Sequence, residues 1–270
     1  MRQHHYHLDG RCVYCLRDMT GLPKDQKTDE HIIPRSLNGT LVIHKGACTP
    51  CARYSNRAYE GAALNNDLLV ARRLLQFRRG KKSKKKSTTP LPPVAIGNAA
   101  MKQGIEGVEA FNVYLSDAEY PPFFDLIIFP PPGLLTDDDR GADIKTIRVQ
   151  FFNLGLPNRR DGVTTRTPHI NGPFAKMIAK IGYCYAVAER GFEYFDGSQI
   201  RDLLTGRRDD IYNFVGNVEK PESLPNDHIH ALHLREKGGW LTTLVHQFAS
   251  CNANTDVPTI PYEVAVGKLL

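Results

Sequence analysis

Two cysteine pairs, Cys12-Val-Tyr-Cys15 and Cys48-Thr-Pro-Cys51, stand 32 residues apart near the start of the chain. A two-residue spacer lets both thiolates of a pair bind one metal ion, and two such pairs complete a tetrahedron. With every position filled by protein, the expected role of the ion, zinc, is structural. A redox motif would need only one pair, followed by a helix. Residues 1–60 are rich in Cys, His and turn formers and poor in long apolar runs, so a staple is what lets such a segment hold a shape. Cys184 and Cys251 have no partner at this spacing and are read as core residues. His4, His5 and His7 lie beside no ligand motif and are read as a mobile terminus.

Paired cysteines used this way fit a reducing, cytoplasmic setting. The opening MRQHHYHLDG lacks the apolar core of a signal peptide, so export is not expected. No apolar run approaches the roughly 18 residues of a membrane span. At 41% hydrophobic and 24% charged, the composition is that of a globular protein, and 270 residues suffice for one or two domains.

The net charge of +6 is local. Ten Lys and Arg and no acid fall between Leu68 and Ile105, which leaves the rest of the chain net negative. Such a tract can hold nucleic-acid phosphates, meet another acidic partner, or keep a linker solvated. Phosphate binding is the expectation, through Arg72, Arg73, Arg78, Arg79, Lys81, Lys82, Lys84, Lys85 and Lys86.

The pattern divides the chain into 1–79, a basic linker at 80–93 (GKKSKKKSTTPLPP), and 94–270. Leu64, Leu68, Ala71 and Leu75 share one face of a helix, with the arginines mostly off it. Beyond Val94, GVEAFNVYL, FFDLIIF, IKTIRVQFF, HIHALHLRE, WLTTLVHQF and YEVAVG read as strands. A hairpin is expected at Gly238–Gly239, one dominant helix over GPFAKMIAKIGYCYAVAERG ending at Gly191, and a short helix from Ser198 to Gly206. The fold class is therefore α+β: a small zinc-stapled unit, then a larger mixed antiparallel-sheet domain with one main helix. Asp137, Asp138 and Asp139 read as a solvated turn, His228 and His230 as an exposed polar strand face, and Trp240 as packing. None of these is a catalytic signature, and target recognition or dimerisation is the expected role of this part.

Between the cysteine pairs lies Asp29-Glu-His-Ile-Ile-Pro-Arg-Ser-Leu-Asn-Gly39. An acid and His followed by Ile-Ile-Pro, a short loop, and a second CxxC opening a helix resembles the HNH endonuclease family over about residues 10–62. The resemblance implies a ββα unit with a divalent ion, Mg²⁺ or Mn²⁺, between hairpin and helix, acting on DNA, most naturally double-stranded. It makes His31 the general base and Glu30 a metal ligand. The chemistry suits them: histidine titrates near neutral pH, and hard oxygen donors suit Mg²⁺. Neighbouring strand residues face opposite ways, so Glu30 and His31 share a site only where the strand departs from regularity. Many members carry Asn directly after the last Cys, where this chain has Ala52. Asn56, one turn further, is the expected replacement ligand, with Glu60 behind it. The family's middle Asn has no clear counterpart; Asn38 comes too early and His44 stands near that place. Arg35, Arg53 and Arg57 surround the site as candidate phosphate clamps. The rival expectation is a zinc-stapled nucleic-acid-binding module that does not cleave.

Overall fold

The computed structural model describes residues 3–77, 90–96, 111–144, 147–156, 163–165, 169–220, 227–252 and 260–270. Its N-terminal part is built on a three-stranded sheet ordered β1 (His4–Tyr6), β3 (Leu41–Cys48), β2 (Lys27–His31). β1 runs parallel to β3, so the histidine-rich start is a paired strand and not a mobile terminus. Its backbone pairs with a strand whose Val42 and Ile43 are buried.

The β2–β3 pairing carries a bulge: Thr28 faces Ala47, whereas Glu30 faces Ile43. Asp29 fills the gap, its Oδ1 accepting from the Lys45 N–H at 2.8 Å and lying 3.1 Å from His44 Nδ1. Lys45 takes a left-handed φ of 46° to fit. After His31 the chain bends through Ile32 and Ile33, both buried, and returns at Gly39. A Cβ at Gly39 would stand 2.0 Å from the Ile33 carbonyl oxygen, so only glycine fits this crossing.

The helical arm follows β3 directly as α1 (Thr49–Ser55), with Pro50 in its first turn. A π turn, Asn56–Glu60, widens it before α2 (Gly61–Asn65). Such turns often mark functional sites. The continuous helix expected through Leu64–Leu75 is instead two pieces, α2 and α3 (Leu69–Leu74). Leu64, Leu68 and Ala71 are buried as the periodicity predicts. The break falls at Asn66–Leu68, where Asp67 turns in to hold His169 and the Ile170 N–H.

The second part contains β4 (Val94–Ile96), β5 (Phe111–Val113) and β8 (Val163–Thr165) in one small antiparallel sheet. The pair β6 (Phe123–Ile128) and β7 (Arg148–Asn153) forms another. The main sheet is ordered β10 (Val215–Asn217), β13 (Tyr262–Leu269), β12 (Trp240–Gln247), β11 (His230–Lys237), with β9 (Phe195–Asp196) on β13. All these pairings are antiparallel. The expected hairpin joins β11 to β12 at Gly238–Gly239. The expected helices are α4 (Asn171–Arg190), closed by Gly191, and α5 (Ser198–Leu204); a short α6 (Ile211–Phe214) precedes β10.

α4 is the spine of the molecule. Phe174, Met177, Ile178, Ile181 and Val187 are fully buried; burying side chains of this size stabilises by roughly 2 kcal/mol each. One face lies on β12 and β13, where Gly182 comes so near Val264 that a Cβ would sit 2.8 Å from its side chain. The other face packs on the π turn and α2. The Tyr183 hydroxyl donates to the Val13 carbonyl inside the first cysteine pair at 2.7 Å. One buried cluster thus runs from Val13, Ile32 and Tyr59 to Phe174 and Val264, so the N-terminal part draws its core from α4 as well as from its cysteines. Among the described residues no helix is long and apolar enough to cross a membrane.

Candidate functional site

The four cysteines come together. Their sulfurs all lie within 4.8 Å of one another, with Cys12–Cys48 at 3.7 Å and Cys15–Cys48 at 3.8 Å. A zinc ion about 2.3 Å from each sulfur would place them about 3.8 Å apart, so the donor set fits the ion in chemistry and size. The Val13 N–H donates to Gly46 O, tying the first knuckle to β3, and the Cys48 N–H points at Cys12 Sγ at 3.3 Å. The thiols titrate as a group: the hydrogen bond from Cys51 lowers Cys12, while burial raises Cys48 and the bond to Cys12 raises Cys51. Among the described residues no second group of His, Cys, Asp and Glu converges this way. Cys184 is buried and Cys251 half-buried, as expected of core residues.

Beside this cluster a cavity of about 340 Å³ opens between the end of β2 and the helical arm. Asp29, Glu30, His31 and Arg35 line one wall; Ala52, Ser55, Asn56 and Glu60 line the other. The bulge at Asp29 and the bend after His31 supply the irregularity that lets consecutive residues 29–31 face one space. Asn56 is exposed on the π turn, and Ala52 offers the cavity only a methyl group.

His31 is half-buried, and its Nε2 lies 3.4 Å from Gln3 Nε2. Burial, with the nearby charges of Lys180 and Arg35, holds its pKa below the ordinary value. The imidazole is therefore neutral at neutral pH, the form that accepts a proton.

Lys180, from α4, was not foreseen. Its side chain is 1% exposed, and its Nζ lies 2.5 Å from Glu30 Oε1 and 2.8 Å from Glu60 Oε1. It also donates to the carbonyls of His31 and Ile32. Burial alone would strip its proton, but the two carboxylates override that and hold the ammonium charged. Burial, reinforced by Glu60, outweighs the pull of Lys180 and holds the Glu30 carboxyl above its ordinary value. At this contact distance the ionised pair is the state the geometry supports. The signal in the sequence is a lysine on the apolar face of a helix whose neighbours Met177, Ile181 and Cys184 are all buried; such a lysine must find a partner.

Two carboxylates and one ammonium leave a net negative charge in the cavity wall. Asn56 lines the same cavity, and Glu30 and Glu60 each hold one oxygen against Lys180, which leaves each a second oxygen as a possible hard donor.

The expected phosphate contacts divide. Arg35, Arg53 and Arg57 are exposed near the cavity. Arg72 and Arg73 are not free for a polyanion, contrary to expectation: Arg72 Nη1 donates to Leu64 O at 2.7 Å, and Arg73 Nε donates to Asp117 Oδ2 at 2.9 Å. Both stitch the helical break and the following segment. Arg78, Arg79, Lys81, Lys82, Lys84, Lys85 and Lys86 lie outside the described residues, as does most of the linker.

No protein-family model, curated protein or solved structure matches the chain. The site stands on its own chemistry.

Elsewhere, His228 lies outside β11 and is exposed beside Asp227, while His230 is within the strand and packs inward. The pair does not share an exposed face. Burial takes the His230 imidazole down to about 4, and its Nε2 donates to the Leu37 carbonyl at 3.0 Å. Trp240, half-buried, starts β12 beneath Lys268. Asp137 and Asp138 are exposed in a turn, and Asp139 accepts from Gly141 N and Asn213 Nδ2.

A second buried ionic cluster joins the two parts. His169 lies between Asp67 Oδ1 at 3.2 Å and Asp125 Oδ2 at 3.0 Å. Burial works against its charge, but hydrogen bonds to Asp125 and Asp67 override it and raise the imidazole to about 9. Both nitrogens are committed to carboxylates, so the cluster reads as a structural clasp.

Proposed function

We propose that the chain is a metal-dependent endonuclease of the HNH type that hydrolyses DNA phosphodiester bonds. One observation carries the reading: Glu30, His31, Arg35 and Asn56, each expected from the motif, line a single solvent-open cavity beside the four-cysteine cluster. In this reading zinc clamps hairpin to helix. Neutral His31 takes a proton from the attacking water, Arg35 holds a phosphate oxygen, and Glu30 with Asn56 faces a Mg²⁺ or Mn²⁺ ion, Glu60 being close enough to assist. The ion would neutralise charge developing on the phosphate and stabilise the leaving oxygen. Exposed Arg53 and Arg57, with the basic tract, would hold the flanking backbone.

A second reading, a zinc-stapled nucleic-acid-binding module without cleavage, draws on the same cavity. Ala52 gives no donor where the family has Asn, and Glu30 is already paired with Lys180. Supercoiled plasmid incubated with zinc-loaded protein decides between them. The nuclease reading expects nicked or linear product on addition of Mg²⁺ or Mn²⁺. Retarded but intact plasmid at every divalent ion tested would favour the binding module.

A further inference from the structure

We propose that Lys180 is a positioning residue of the cavity, an internal cation supplied by the second part of the chain that neutralises one of two site carboxylates and tethers the His31 end of β2. The inference rests on the cavity's being a divalent-cation site, and so on the reading above.

Lys180 Nζ is ion-paired with Glu30 Oε1 at 2.5 Å and Glu60 Oε1 at 2.8 Å, and donates to the His31 carbonyl, with Ile32 O a longer neighbour at 3.4 Å. With its side chain 1% exposed and these oxygens around its ammonium, Lys180 does not clamp substrate. Its contacts instead bind the three elements that form the cavity: β2 through Glu30 and His31, the π turn through Glu60, and α4 itself. At 1% exposure it is out of reach of solvent counter-ions, so its charge acts on the cavity nearly unscreened. Without it, Glu30 and Glu60 would be two uncompensated anions close together in the cavity. With it, the pair keeps a single negative charge, and the carbonyls of His31 and Ile32 are held at the end of β2. The helical spine of the second part is thereby built into the site.

The test uses Mn²⁺ alone as probe, with free ion measured by electron paramagnetic resonance over zinc-loaded full chain. Lys180→Met leaves both carboxylates uncompensated and is expected to bind Mn²⁺ roughly tenfold more tightly than wild type. Glu60→Gln, which keeps Lys180 against Glu30 alone, is expected to bind roughly tenfold more weakly. The double variant Lys180→Met/Glu60→Gln restores the wild-type charge and is expected to return to within about threefold of wild type. A lysine that served packing alone would not produce this compensation. Equal affinities across the series, or weaker binding by Lys180→Met, would overturn the proposal; if Lys180→Met does not fold, Glu60→Gln and the double variant decide it. A series that follows charge in a protein that cuts no DNA upholds the role of Lys180 and defeats the nuclease reading. A flat series in a protein that cuts DNA defeats Lys180 alone.

Discussion

The four-cysteine cluster and the neighbouring cavity both draw on α1, yet they are built on opposite principles. In the cluster, donors converge on one point and nothing else is admitted. In the cavity, donors line two walls of an open space, and one of them, Glu30, is occupied by a buried lysine from a distant helix. A closed donor set yields stability; an open one with unspent charge can do chemistry. Damage to the two should therefore have separable consequences.

Cys48→Ser is expected to abolish stoichiometric zinc and destabilise the N-terminal part by several kcal/mol, because binding free energy of structural zinc is folding free energy. Metal content and a melting curve check this; full zinc content with an unshifted transition would remove the distinction between scaffold and site. His31→Ala should do the reverse. Zinc content and melting temperature stay as in wild type while cleavage falls by roughly 10²–10⁴-fold, the usual contribution of a general base.

The His169 clasp is predicted to make stability fall on the alkaline side. Its folded pKa, about 9, is raised above the ordinary value. Its contribution is complete below the unfolded pKa of about 6.5 and is lost as pH rises through the folded value, a change of about 3 kcal/mol. Chemical denaturation between pH 6 and pH 10 measures it, with His169→Ala as control; equal slopes in both proteins would show the clasp to be uncharged. Smallest is the contribution of the tract. Replacing Lys81, Lys82, Lys84, Lys85 and Lys86 with Gln should flatten the salt dependence of DNA affinity by about 0.9 per phosphate contact removed. Replacing Arg73, paired with Asp117, should leave that slope unchanged.

The contrast also explains what could be read from sequence. The cysteine spacing and the motif at Asp29–Gly39 are local, so the cluster and most of the cavity's residues were legible. Six strands of the second part and its long helix follow periodicity and were legible too, whereas the short β4, β8, β9 and β10 were not. What escaped was tertiary. β1 is a strand because β3 offers it a paired edge, not because His-His-Tyr demands one. The helix through Leu64–Leu75 breaks because Asp67 is drawn to a histidine 102 residues away. Arg72 and Arg73 looked like solvated charges, and partners found only in the fold consume them. Lys180 sat in an apolar helix as an anomaly whose two carboxylate partners, Glu30 and Glu60, lie far away in sequence.

Whether His31 activates water in a cavity that the four-cysteine cluster only supports is decided by single-turnover cleavage of plasmid DNA by wild type and His31→Ala, at matched zinc content and saturating protein. Cutting by wild type with Mg²⁺ or Mn²⁺, equal DNA binding by both proteins, and a cleavage rate at least about a hundredfold lower in the variant are expected if it does. Equal rates in the two proteins would contradict it.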